Sequence, residues 1–349
     1  MAKIVLGLAS AHSPMLSLQP DMWPLFAERD KGNKMLTAVP SGEVVSYETL
    51  LEQTSPSVVT KANQENFDAQ HAACQKAITT LEETLAEANP DVVVIIGDDQ
   101  EELFFDDNMP LFAIYWGDKM RLIPRGQDAP ANSILGASGW GYGDVEMDVP
   151  VNSQLALYLI EKLLEADFDM AQCRYLKDEY SGSVGPSGYI GSSIVTEKHC
   201  QGMPHAYAYV VKRIMNGKVI PIVPVIQNTF YPPNQPTPKR CYDLGRAIAK
   251  AIESWDSDKR VAIVASGGLS HFTVDEEIDW MALNGMKNKD AEALSSLPRN
   301  RLNSGHSEIL NWVTAAGALE HLDFEVVDYV PVYRSPAGTG GGWGFGRWQ

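Results

Sequence analysis

Cysteine is scarce in this chain of 349 residues. Only Cys74, Cys173, Cys200 and Cys241 occur, widely separated and without a CxxC pair, which speaks against a disulfide framework and against a structural zinc site. Positive charge is also in deficit, with 28 Lys and Arg against 45 Asp and Glu and a formal net charge of −17. A field of that sign repels phosphate backbones and anionic lipid surfaces, so neither nucleic acid nor a membrane is expected as a partner. A small anionic substrate stays compatible, because a few local cations or a metal dominate the potential inside a pocket. No apolar run is long enough to span a bilayer, and no charged n-region with an apolar stretch and cleavage site precedes the first strand. Together with the cysteine usage, these absences lead to the expectation of a cytoplasmic protein.

What is present is an ordinary globular composition, 44% hydrophobic and 21% charged, in which buried strands alternate with helices. The run Lys3-Ile4-Val5-Leu6-Gly7-Leu8-Ala9 reads as a buried strand that delivers His12 to its C-terminal mouth, just before the breaker Ser13-Pro14. Such strand ends are where α/β proteins keep their sites. Asp91 to Ile96 and Arg260 to Ala265 are further buried strands. The first runs into the polar cluster Gly97-Asp98-Asp99-Gln100-Glu101-Glu102, and the second into Ser266-Gly267-Gly268-Leu269-Ser270-His271. Other strands are predicted at 112–116, 168–170, 219–226 and 324–332, and helices at 61–88, 152–166, 206–214, 238–254 and 309–319. His205 stands at the start of the 206–214 helix, and Glu308 falls in the first turn of the last one.

The alternation continues from end to end without a linker or repeat, so one α/β domain over residues 1–349 is expected. Two stretches stand apart. Residues from 16 to about 62 are irregular and punctuated by proline, and read as an insertion, a lid or an oligomer contact. The glycine-rich residues 338–348 read as a tail packed at an interface or over the site.

Each candidate residue also has an ordinary reading. His12 serves equally as a hydrogen-bonded loop histidine, and Glu308 as a helix-capping carboxylate worth about 1 kcal/mol. Asp98, Asp99, Glu101 and Glu102 read as solvated loop charges or as an oxygen-rich metal site, with solvation the expectation for most of them. His71 and Cys74 fall on the 61–88 helix as packing or surface residues. Two histidines and a carboxylate on one face would make the non-haem iron(II) arrangement, but spacing alone does not bring them together.

The segments Gly7-Leu8-Ala9-Ser10-Ala11-His12-Ser13-Pro14, Val92 to Asp99, Pro110 to Ile114, Tyr231-Pro232-Pro233 with Lys239-Arg240-Cys241, Gly267-Gly268-Leu269-Ser270-His271 and Glu308 to Leu319 together resemble the class III extradiol ring-cleavage dioxygenases, in particular catalytic beta subunits of the protocatechuate 4,5-dioxygenase type. The resemblance implies an α/β fold with a central mixed sheet flanked by helices, an iron(II) site, and O2-dependent cleavage of a catecholic or hydroxylated aromatic acid. It implies His12 and Glu308 as iron ligands, His271 as the catalytic acid/base and His205 as a second pocket histidine. The family's second histidine ligand follows an Asn-Asp or similar pair after the second strand. Here Asp98-Asp99-Gln100 occupy that place, which puts Gln100 at the ligand position.

An amide oxygen is a poorer donor to iron(II) than imidazole. His306, two residues before Glu308 at a helix start, is expected to point away from the face of that carboxylate. Two alternatives stay open: a member with another metal or none, doing acid/base hydrolysis or decarboxylation through His205 and His271, and a non-catalytic partner subunit of a heteromeric dioxygenase. The resemblance further implies a homo-oligomer, with a small separate alpha subunit as a possible companion. Loops carry specificity as a rule, so the substrate is expected to be set by loops such as 180–203 and the 16–62 insertion.

Overall fold

Val92, Val94 and Ile96 face one half of the core, and Val93 and Ile95 face the other. A strand covered on both sides requires apolar residues on both. In the computed structural model, which describes residues 1–105, 108–176 and 202–349, this strand lies inside a nine-stranded sheet. The strands are β1 (Lys3–Ser10), β2 (Val92–Asp98), β3 (Phe112–Tyr115), β4 (Ala171–Cys173), β5 (Ile222–Gln227), β6 (Arg260–Ser266), β7 (His271–Thr273), β8 (Phe324–Tyr333) and β9 (Thr339–Trp348). Strands β1, β6, β2 and β5 pair in parallel in that order. β3 joins β5 antiparallel and carries β4 in parallel at the outer edge. On the other side β9 runs antiparallel to all its partners: β8 lies along one edge, and β1 and β7 share the other. The chain is thus an α/β protein with a central mixed sheet, as expected, and β7 begins where β1 ends.

One face of the sheet is covered by α2 (Ser153–Glu165), α4 (Pro238–Ser254), α5 (Glu276–Lys287) and α6 (Ile309–Ala318), the other by α1 (Gln64–Ala88) and α3 (His205–Tyr209). α4 shows why these segments are helical. Thr237 accepts a hydrogen bond from the Arg240 N–H, Pro238 occupies the first turn, and Cys241, Leu244, Ile248 and Ile252 recur on the buried side. α6 is buried along its whole length, because it packs between the sheet and α4.

The boundaries depart from expectation at several places. The first long helix starts at Gln64, capped by Asn63, and the strand expected at 168–170 lies at Ala171–Cys173. The 206–214 helix begins one residue earlier, at His205, and widens into a π turn over Val210–Ile214. Residues 339–348 are not a tail: β9 is paired along both edges, and Trp343, Phe345 and Trp348 are core. The stretch 16–62 is built of short helical turns and the small hairpin of Leu36–Thr37 with Val44–Val45. It buries Trp23, Phe26 and Leu36. Of the loop 180–203, only residues 202 and 203 lie within the described residues. Among the described residues no helix is long and apolar enough to cross a membrane.

Candidate metal centre

The C-terminal ends of three parallel strands supply the floor of the site: His12 two residues beyond β1, Asp98 closing β2 and Ser266 closing β6. His205 is the first residue of α3 and His271 the first of β7. Glu308 ends the turn Ser304–Glu308 that leads into α6. Close approach of α3 to the sheet depends on Gly97, where an added Cβ would lie 2.9 Å from Cβ of Ala206. The expected site residues His12, His205, His271, Glu308 and Gln100 therefore meet in one cluster, in which His12, Gln100 and Glu308 are buried and His205 and His271 are partly exposed.

The hydrogen bonds orient both rings at its centre. The hydroxyl of Ser266 donates to the Ala206 carbonyl at 2.6 Å, so toward His12 it is an acceptor, and His12 Nδ1–H donates to it at 3.0 Å. His205 Nδ1–H donates to the Glu102 carboxylate. With both Nδ1 atoms committed outward, the two Nε2 atoms turn inward and stand 3.2 Å apart, and Glu308 Oε2 is 3.3 Å from His12 Nε2. The donor atoms of His12, Asp98 and His205 all lie within 4.8 Å of one another. Two ligands of one divalent cation, each about 2.1 Å from it, stand about 3 Å apart when they subtend a right angle. The donor set, two imidazoles with carboxylate oxygens beside them, therefore fits the kind of cation held by two-histidine, one-carboxylate sites.

Charge is concentrated here. Burial disfavours an imidazolium at His205, yet the Glu102 carboxylate raises its pKa to about 9; a cation bound by Nε2 would displace the proton from it. Against the effect of burial, His205 and Arg125 lower Glu102 to about 2. Glu308 is held well below the usual carboxylate range, again against burial, by His271 and His12. Burial and the neighbouring Glu308 charge raise Asp98. His271 Nδ1–H donates to the Leu269 carbonyl at 3.0 Å, and its Nε2 lies 3.1 Å from Glu308 Oε1. Burial opposes its charge, but Glu308 raises its pKa.

Gln100 reaches the cluster through its amide nitrogen, which donates to Asp98 Oδ2 and Glu308 Oε1, both at 3.1 Å. In this orientation it ties two carboxylates together and turns N–H groups, not a lone pair, toward them. Glu308 accepts the Gly268 N–H at 2.8 Å. It makes no side-chain capping bond to α6, so its carboxylate is spent on the site and not on the helix. His306 donates Nδ1–H to the His271 carbonyl at 3.0 Å and stays neutral, its pKa lowered by burial to about 4.

The solvated reading of the acidic run is overturned, since Asp98, Asp99, Glu101 and Glu102 are all buried. Asp99 is the reason: its carboxylate accepts the N–H groups of Glu102, Leu103 and Phe104 at 3.1, 2.9 and 2.9 Å. The loop is folded back over the strand end, and Glu102 faces His205. Sequence reading also missed Ser266, Arg125 and Tyr142. Arg125 pairs with Glu102 at 3.2 Å, and the Tyr142 hydroxyl donates to the His12 carbonyl at 2.6 Å. Ser266 could have been found as the last residue of a buried strand. Arg125 and Tyr142, in loop-rich sequence, carried no local signal.

Comparison with known proteins adds the following. Residues 54–341 match the family described as the catalytic LigB subunit of aromatic ring-opening dioxygenase. A gallate dioxygenase of Pseudomonas putida is 61% identical over 36 residues, 10% of this chain and 11% of that protein. A 2,3-dihydroxyphenylpropionate/2,3-dihydroxicinnamic acid 1,2-dioxygenase of Cupriavidus necator is 27% identical over 186 residues, 52% of this chain and 44% of that one. The enzyme of the same name from Comamonas testosteroni is 24% identical over 200 residues, 57% and 49% of the two chains. The chain thus spans about a tenth of the first of these relatives and less than half of the other two.

Proposed function

The chain belongs to the family of the catalytic LigB subunit of aromatic ring-opening dioxygenases, and on that premise we propose that it cleaves the ring of a catecholic or hydroxylated aromatic acid, in extradiol fashion, with O2 at a non-haem iron(II) centre. Two imidazole Nε2 atoms turned toward each other at 3.2 Å, with a carboxylate oxygen 3.3 Å from one of them, carry this reading. The relatives' names, with gallate and 2,3-dihydroxyphenylpropionate, agree on a hydroxylated aromatic acid.

In this reading His12, His205 and Glu308 hold the metal, with Asp98 beside them as a further oxygen donor. His205 takes the place that the family resemblance assigns to residue 100. Iron(II), when bound, supplies the positions at which diol and O2 meet and the electrons that couple them. The chain's own residues do the rest. Gln100 Nε2–H and the Gly268 N–H fix the Glu308 carboxylate. The Leu269 carbonyl keeps the His271 proton on Nδ1, so once Glu308 is engaged elsewhere, His271 Nε2 is the free base. It accepts a proton from a substrate hydroxyl and later returns one. A homo-oligomer, with or without a small alpha subunit, is part of the same proposal.

The test is O2 uptake by protein loaded anaerobically with iron(II), against a panel of catecholic acids. One O2 consumed per ring opened is expected, lost in His12→Ala and reduced about 100-fold or more in His271→Ala. Substrate turnover that survives strict anaerobiosis and chelators would instead establish metal-free acid/base chemistry through His205 and His271.

A further inference from the structure

We infer that Glu102, braced by Arg125, is the positioning residue that makes His205 a metal ligand of this chain. The inference rests on the proposed metal centre and concerns a line of side chains running outward from it. Glu102 holds His205 at two points: its carboxylate accepts the backbone N–H at 3.0 Å and the ring Nδ1–H. The backbone contact fixes where α3 begins. The ring contact fixes the tautomer, leaving Nε2 as the inward donor.

Pro204 precedes His205 and its side chain makes no capping bond to the helix; its carbonyl accepts the Tyr207 and Ala208 N–H groups, while the His205 N–H goes to Glu102. The segment is fastened from the other side instead. Met203 N–H donates to the Arg121 carbonyl at 2.7 Å, and Gly202 bridges to Leu122. Arg125 Nη2 then joins both parts, donating to the Met203 carbonyl at 2.7 Å and to Glu102 Oε1 at 3.2 Å. Its guanidinium also lies over the Tyr142 ring, 5.7 Å from the centroid, and Tyr142 in turn holds the His12 carbonyl. Arg125 and Glu102 are both largely buried, at 13% and 6% side-chain exposure, so the pair is shielded from the screening that weakens surface ion pairs. The strand end that in the resemblance would offer an imidazole offers Gln100, and two residues later the same loop offers the carboxylate that aims His205. The ligand has moved from the loop to the helix, and the loop has become its support.

The experiment is cobalt(II) binding to the full chain, read by competition with a chromophoric chelator and by the visible spectrum of the bound ion, alongside the melting temperature. Glu102→Gln is expected to weaken cobalt(II) by 10- to 100-fold and to alter the spectrum, and Arg125→Lys to weaken it several-fold, with His12→Ala as the variant that removes a ligand. If Glu102→Gln is too unstable to purify, Arg125→Lys, which keeps the charge but is too short to put one nitrogen where Nη2 bridges the Met203 carbonyl and Glu102, carries the same comparison. A lower melting temperature with unchanged affinity and spectrum in both variants would show Glu102 to be structural and overturn the inference, while leaving the metal centre intact if His12→Ala has lost the ion. Cobalt(II) bound as tightly by His12→Ala as by wild type would overturn the metal centre, and this inference with it.

Discussion

At the scale of the residue, the site is a set of proton assignments made by neighbours. Ser266 and Glu102 each take an Nδ1–H and so decide what an Nε2 can do. His306 shows the same control turned to stability. Burial lowers its pKa from 6.5 to about 4, so between these values the unfolded chain binds more protons than the folded one. The contribution is fully present above pH 6.5 and is lost as pH falls toward 4, by an amount on the order of 3 kcal/mol. His306→Asn keeps an N–H for the His271 carbonyl without titrating in this window. Its stability in urea is therefore expected to fall less than that of the wild type between pH 6.5 and 4; parallel curves would contradict the assignment. The sequence made the candidate histidines legible, because strand ends and helix starts can be read from periodicity. It did not show how the rings are turned: register with the family put Gln100 at a ligand position and His205 in the pocket, but not the His205 Nε2 at 3.2 Å from that of His12, 193 residues away.

At the scale of the element, the turn Ser304–Glu308 is what holds His271. Glu308 meets its Nε2, His306 its carbonyl, and Gly305 its backbone and ring. A Cβ on Gly305 would fall 2.0 Å from the His271 carbonyl oxygen and 2.4 Å from its Cδ2, so alanine there must displace the histidine. Gly305→Ala is expected to lower kcat by about 100-fold with metal content near that of the wild type. Full activity would mean that His271 needs no fixed place. The helices were legible because their apolar spacing is local, as the helix expected at 238–254 and found as α4 illustrates. The acidic loop after β2 was not. Charged runs are solvated far more often than buried, and only the backbone bonds gathered by Asp99 turn this one inward.

At the scale of the whole molecule, the least legible part was β9. Glycine is depleted in strands, yet here glycines let large side chains lie across the strand. A Cβ on Gly346 would meet the Phe324 ring at 2.5 Å, and one on Gly344 would meet Leu269 and Trp312 within about 3 Å. The turn that joins β8 to β9 also anchors the 16–62 stretch. Arg334 reaches Asp30 with Nε and Nη2 at 2.6 and 2.8 Å, Thr339 donates to the same carboxylate, and both members of the ion pair are buried. Removing one partner strands a buried charge. Arg334→Ala is therefore expected to cost about 3–5 kcal/mol in chemical denaturation; a change below about 1 kcal/mol would mean that the stretch is not fastened here.

The most direct measurement is iron content after anaerobic loading and gel filtration, comparing wild type, His205→Ala and Gln100→Ala. About one iron per chain in the wild type, most of it kept by Gln100→Ala and little by His205→Ala, is the expected result, because removing a ligand costs more affinity than removing a residue that orients one. Iron lost from Gln100→Ala and retained by His205→Ala would return the ligand to the strand end and contradict the centre described here.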